Sequence, residues 1–438
     1  MSLYQRRDFL KKSFKGLAGI GLLGMIDFIA SCKRKIRPNF LIFITDDLGW
    51  SDTGLYNPNI HTGNLNKIAA YGLQLTRFYV QPIEGASLLS FLTGKFASRF
   101  GFIAPDIEVN MEKIVQDGNT LPQILWSNGY ETAFIGKWTI GTINQNPLER
   151  FGFNYSYGLI KGKDKKERLH RNGKPIKAVA SFTDLIEKEA VHYLTSLRDK
   201  MKPFFLMIPF NMPHSFYDEE SKWINLYKKV FKDEEKAIYA ASITHMDHAI
   251  GKILDAIKDE GLQTNTLVLF FSDNGAKLML PQNKYKINSN RPFRGEKGQL
   301  YEGGIHVPAL MLWFTQLHKS VRARTIHVAD MYPTIAKLAG ISINQETRLD
   351  GLNVWSTIKN NKPVPERVLY WRTKTELAIR KGKWKLINKG PTPFVGKAEL
   401  YNINSDPGES IDFSLDYPQI VARLTGELKK QYIKESSL

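Results

Sequence analysis

The run Asn39-Phe40-Leu41-Ile42-Phe43-Ile44-Thr45 is almost continuously apolar and stops abruptly at Asp46-Asp47. Apolar residues at both odd and even positions predict a strand buried on both faces, as in a parallel sheet. Phe204 to Ile208 and Thr266 to Phe271 repeat the pattern. Between them, apolar residues recur at three- and four-residue spacing and predict helices over Asn64 to Tyr71, Thr120 to Asn128, Phe182 to Leu197 and Asp233 to Glu260. Strands alternating with helices predict an α/β fold, a large and mostly parallel sheet with helices on both faces. In such sheets ligands bind at the carboxyl ends of the strands. From about Pro363 the texture changes to short strands with basic turns, Val368 to Arg372, Glu376 to Arg380, Trp384 to Asn388 and Ala398 to Asn402, then a helical stretch from Tyr417 to Lys434. This predicts a small C-terminal antiparallel sheet with one helix. The expected division is an α/β domain over 33–362 and a small α+β subdomain over 363–438, packed as a lid or flank.

The N-terminus has a different pattern. Arg6-Arg7-Asp8-Phe9-Leu10-Lys11 precedes a Gly-rich, moderately apolar stretch from Gly16 to Ile26, which resembles a Tat export signal over 1–31. Ile29-Ala30-Ser31-Cys32 resembles a lipobox, with Cys32 as the residue that anchors the exported protein to a membrane, facing the periplasm or the cell surface. An uncleaved membrane anchor is the competing reading. Asp27 interrupts the apolar run, and the stretch is short for a spanning helix. Cys32 is the only cysteine, so intrachain disulfides are excluded.

The 438 residues suffice to bury a full core, and the composition is ordinary for a globular protein. Lys and Arg number 61 against 43 Asp and Glu, a net charge of +18. That balance favours anionic partners, sulfated glycans among them, or reflects a basic solvated surface. No nucleic-acid motif accompanies it.

Asp46 and Asp47 follow one predicted strand, and Asp273 and Asn274 follow another in Phe270-Phe271-Ser272-Asp273-Asn274-Gly275. Both pairs are expected at one edge of the sheet. Three carboxylates and an amide oxygen are hard ligands that suit Ca²⁺ or Mg²⁺.

The surrounding motifs resemble those of the sulfatase family, the arylsulfatase-like branch of the alkaline phosphatase superfamily. They include Asp46-Asp47-Leu48-Gly49-Trp50, Leu92-Thr93-Gly94-Lys95, Gly136-Lys137-Trp138, Met212-Pro213-His214, Ser272-Asp273-Asn274-Gly275, Arg294-Gly295-Glu296-Lys297-Gly298, Glu302-Gly303-Gly304 and Asp406-Pro407-Gly408-Glu409. The resemblance implies that Asp46, Asp47, Asp273 and Asn274 hold a calcium ion, with Ca²⁺ ahead of Mg²⁺. It also implies that Lys137, Lys297 and His214 surround the sulfate ester of an aryl or carbohydrate substrate. Fixed ammonium groups and a divalent cation suit an anionic ester that gains charge on its leaving oxygen, and a His suits protonation of that oxygen.

One segment departs from the family. Members carry Cys or Ser in a Cys/Ser-x-Pro-x-Arg sequence, oxidised to formylglycine. Here Gln81-Pro82-Ile83-Glu84-Gly85-Ala86-Ser87-Leu88 puts Glu84 at the nucleophile, Ala86 at the proline and Leu88 at the arginine. Neither Ser87 nor Ser90 is followed by the missing proline and arginine, and Thr139 replaces the His that usually follows Gly-Lys-Trp. No formylglycine is therefore expected, and the family mechanism is expected to be lost. Glu84 is expected at the start of a helix over Gly85 to Thr93, as a capping or metal-ligating carboxylate. A nucleophilic carboxylate, or one that activates a metal-bound water, stays open. With Asp46, Asp47 and Asp273 it makes four carboxylates, which cannot all stay ionised at close range without a cation. A non-catalytic binder of anionic glycans is the reading from another class. The segment from Gln282 to Pro292 is expected to form part of the ligand-facing wall, which sequence does not identify further.

Overall fold

The computed structural model describes residues 37–115, 119–142, 147–162, 164, 166–215, 219–278 and 290–436. The predicted signal, Cys32 and the part of the 282–292 segment before residue 290 lie outside the described residues.

The strand Asn39–Asp46 is the centre of a ten-stranded sheet. It pairs in parallel with Phe204–Pro213 on one side and Thr266–Ser272 on the other. Glu131–Trp138 and Tyr155–Lys161 extend the parallel block beyond Phe204–Pro213. The apolar run is continuous because its alternate residues enter two cores: Phe40, Ile42 and Ile44 pack into one, Leu41 and Phe43 into the other. Helix Glu234–Asp259 covers the second core through Ile243, Met246, Ile250 and Ile253. The sheet is mixed rather than uniformly parallel. Ala309–Leu312 is antiparallel to Thr266–Ser272, and Glu167–Arg171 is antiparallel to Tyr155–Lys161.

The four predicted C-terminal strands form one antiparallel sheet. Trp384–Thr392 and Val395–Asn402 run longer than the apolar alternation alone indicates. A third core, with Leu369, Trp371, Ile379, Leu386, Leu424 and Leu428, joins this sheet and helix Pro418–Ser436 to Tyr79, Phe96 and Ile305 of the main body. Residues from Arg37 onward form a single compact unit. Among the described residues no helix is long and apolar enough to cross a membrane.

Parallel pairing fixes where the chemistry goes. Thr45 is opposite Ser272 and Asp46 opposite Pro213, so Asp46, Asp47, Asp273 and His214 leave the sheet at the same carboxyl edge. Lys137 reaches that edge from the penultimate position of Glu131–Trp138.

Candidate active site

The turn before helix Ala86–Thr93 aims Glu84. Gly85 adopts a left-handed φ of 80°, and a Cβ there would lie 2.9 Å from the Thr139 carbonyl oxygen, so glycine is required. The helix has no side-chain cap, and the expected capping role of Glu84 is not what the structure shows. Its carboxylate turns to Lys137 instead, with Oε1 2.6 Å from Nζ. The directed hydrogen bond of that ammonium goes to Asp46 Oδ2 at 2.8 Å, so the Glu84 contact is an ion pair of poorer angle. Burial works against the charge on Lys137, but Asp46 and Glu84 outweigh it and raise the ammonium above its ordinary range.

Asp47 has a positive φ of 67°, which directs its side chain back across the edge. Oδ2 meets His214 Nδ1 at 2.8 Å, and Oδ1 meets Lys297 Nζ at 2.6 Å. Burial opposes ionisation of Asp47, yet His214 and Lys297 hold it down at about 2. The hydrogen bond to Asp47 raises His214 above the usual histidine value. Asp273 behaves oppositely: burial, reinforced by Asp46 and Asp47, pushes its carboxyl well above the ordinary range. Asp273 Oδ1 accepts from the Asp47 backbone N–H at 3.2 Å, and Asn274 Nδ2 donates to Asp47 Oδ1 at 2.7 Å.

The two serines beside Glu84 are built into the structure. Ser87 Oγ accepts from the Gln81 N–H at 2.8 Å and donates to the Asp273 carbonyl, and Ser90 is fully buried within the helix. Leu88 is buried, and with Asp46, Lys137, Thr139 and Asp273 it lines a cavity of about 20 Å³. That is room for about one water.

The family model described as Sulfatase matches residues 38–341. The chain belongs to the sulfatase family. Similar curated sulfatases include Arylsulfatase J of Mus musculus, 28% identical over 90% of this chain and 75% of that protein. N-acetylgalactosamine-6-sulfatase of Rattus norvegicus is 27% identical over 80% of this chain and 71% of its own. Among solved structures, Ps i-CgsB in complex with k-i-k-neocarrahexaose superposes with a TM-score of 0.81 at 26% identity, covering 91% of this chain and 93% of that one.

The residues at this sulfatase-family site fit a hard divalent cation. Asp46 Oδ1 and Asn274 Oδ1 are buried and without a hydrogen-bond partner, an arrangement that a cation would relieve. Among the described residues, Asp46, Asp47 and His214 bring one ligand atom each within 4.8 Å of one another. Neither Glu84 nor Asp273 is in that group.

The structure brings Asp46, Asp47, Glu84, Lys137, His214, Asp273, Asn274 and Lys297 to one place. Sequence reasoning missed Glu167, whose Oε1 lies 4.0 Å from Lys137 Nζ. It belongs to none of the motifs, and only the antiparallel return of its strand carries it to the site.

Proposed function

We propose that this sulfatase-family protein has lost hydrolysis by the formylglycine route and retains the cleft as a metal-bearing ligand site. The contact between Glu84 and Lys137 carries the proposal. A carboxylate at the nucleophile position occupies the ammonium that would otherwise meet the sulfate ester. Leu88 leaves no guanidinium beside it, Ser87 is held by its hydrogen bonds, and Ser90 is buried within the helix. Glu84 would have to give up its 2.6 Å contact with Lys137 before it could attack the ester itself, which argues against that role.

Asp46, Asp47, Asp273 and Asn274 would hold the cation, and their all-oxygen chemistry supports Ca²⁺ ahead of Mg²⁺. When bound, it would supply a fixed positive charge against the carboxylates and an anchor for ligand oxygens. Around it, Lys137 orients Asp46, and Lys297 and His214 orient Asp47. The names of the relatives, N-acetylgalactosamine-6-sulfatase and the complex with k-i-k-neocarrahexaose, support a carbohydrate ligand. Export by the Tat route with a lipid on Cys32 belongs to the same proposal and rests on the N-terminal motif alone.

The purified protein is expected to release no sulfate from aryl sulfates or sulfated glycans above the rate of the buffer. Release abolished by Glu84→Ala, or a covalent adduct on Glu84 seen by mass spectrometry after incubation with substrate, would overturn the proposal.

A further inference from the structure

Lys137 is bracketed by three carboxylates. Asp46 Oδ2 lies 2.8 Å from Nζ, Glu84 Oε1 2.6 Å and Glu167 Oε1 4.0 Å. Their side-chain exposure rises in that order, 5%, 15% and 33%, so Glu84 and Glu167 are the two that an incoming ligand meets. Glu167 arrives on the hairpin partner of Tyr155–Lys161, opposite Lys161. The second ammonium is also engaged, with Lys297 Nζ 2.6 Å from Asp47 and 3.8 Å from Asp46.

Among the described residues, the ammonium groups of Lys137 and Lys297 are both already paired with carboxylates, and the cation of the proposed function would be set against Asp46, Asp47 and Asp273. To reach Lys137 a sulfate must displace Glu84, which is tethered to the chain, and then sit beside Glu84 and Glu167 with like charge. The apolar side chain of Leu88 supplies nothing to offset that repulsion. A hydroxyl group meets different conditions, because it donates to a carboxylate and accepts from an ammonium with no net charge to neutralise. Repulsive groups aimed at one of two similar ligands are a general source of selectivity.

We propose that Glu84 and Glu167 exclude sulfate from the cleft, and that its ligand is an uncharged, unsulfated sugar held through hydroxyl groups. The inference rests on the reading that sulfate-ester hydrolysis is lost, and it names the ligand class of that same site.

The test is isothermal titration of the Ca²⁺-loaded full chain, at low ionic strength, with inorganic sulfate and with sulfated and desulfated forms of one galactan hexasaccharide. The wild type is expected to prefer the desulfated sugar by roughly tenfold or more, and E84Q/E167Q to bind sulfate roughly tenfold or more tighter than the wild type. E167Q alone, at the most exposed of the three carboxylates, keeps the test decisive if the double variant misfolds, and a smaller gain in sulfate affinity is expected. Equal sulfate affinity in the wild type and the folded variants, preference for the sulfated sugar, or no binding of the neutral one would each overturn the proposal. Sulfate release is followed in the same samples. Binding of sulfate without release defeats the exclusion alone, whereas release defeats the loss of hydrolysis on which it rests.

Discussion

Lys385 offers a quantitative test of how the C-terminal sheet is fastened to the body that carries the site. Its ammonium is fully buried, 2.9 Å from Glu302 Oε1 and 2.8 Å from Glu409 Oε1, and both carboxylates are also fully buried. Glu302 further accepts from Tyr79 Oη at 2.5 Å, and Glu409 accepts from the Glu302 backbone N–H at 2.6 Å. Burial lifts Glu409 to about 7 against the pull of Lys385. Burial also opposes the charge on Glu302, but Lys385 and His306 hold that carboxyl below its usual range. Lys385→Met keeps most of the side-chain volume and removes the ammonium that, among the described residues, is paired with both acids. Breaking a buried pair in this way costs about 3–5 kcal/mol. Some of the loss is recoverable at acid pH, because one carboxyl can take a proton. A carboxyl whose folded pKa is raised contributes stability that is present at low pH and lost as pH rises through that value. The deficit of the variant should therefore be near the full figure at pH 8 and smaller at pH 5.5, by about 1.4 kcal/mol per pH unit for one proton at most. Urea denaturation of both proteins at the two pH values measures it. A loss below about 1 kcal/mol, the scale of exposed pairs, or a deficit equal at both pH values would refute the reasoning.

Three further outcomes concern the site and its support. Chelated protein given Ca²⁺ at a hundred times its dissociation constant should gain about 2.7 kcal/mol of stability. Protons should be released on binding, because Asp273 is pushed up by burial and by Asp46 and Asp47. Calorimetry in buffers of different ionisation enthalpy detects that release, and an unchanged melting curve would refute the metal site. His327, fully buried, is lowered to about 3 by burial. It stays neutral in the fold while the unfolded chain binds a proton below about 6.5, so stability should fall as pH drops through the window from 6.5 to 3. His327→Asn keeps an acceptor for the Ala329 N–H and should reduce the slope of unfolding free energy against pH by about one proton. An unaltered slope would contradict this.

What the sequence made legible was the part written in short-range pattern. The two-sided apolar runs reveal the central strands, and parallel neighbours ending in acids reveal one edge for Asp46 and Asp273. The small strands Leu73–Leu75, Phe78–Tyr79 and Ser320–Arg322 are too short for any period to register. The helix predicted through Leu197 changes to a wider turn from Tyr193, which apolar spacing does not distinguish. At the site, the identity of Glu84 was readable but its direction was not. That direction depends on the left-handed turn at Gly85 and on Lys137, which belongs to a strand far along the chain. Glu167 was invisible because its position comes from a hairpin return and not from a motif. The contacts of Lys385 with Glu302 and Glu409 likewise join segments that have no local relation.

The central claim, that Glu84 and its neighbours have ended formylglycine chemistry in a site otherwise kept, is tested most directly by rebuilding the segment. E84C/A86P/L88R, produced together with a formylglycine-generating enzyme, is compared with the wild type for sulfate release from an aryl sulfate and a sulfated galactan in Ca²⁺. The account predicts no release by the wild type and measurable release by the rebuilt protein. Turnover by the wild type, lost in Glu84→Ala, would contradict it.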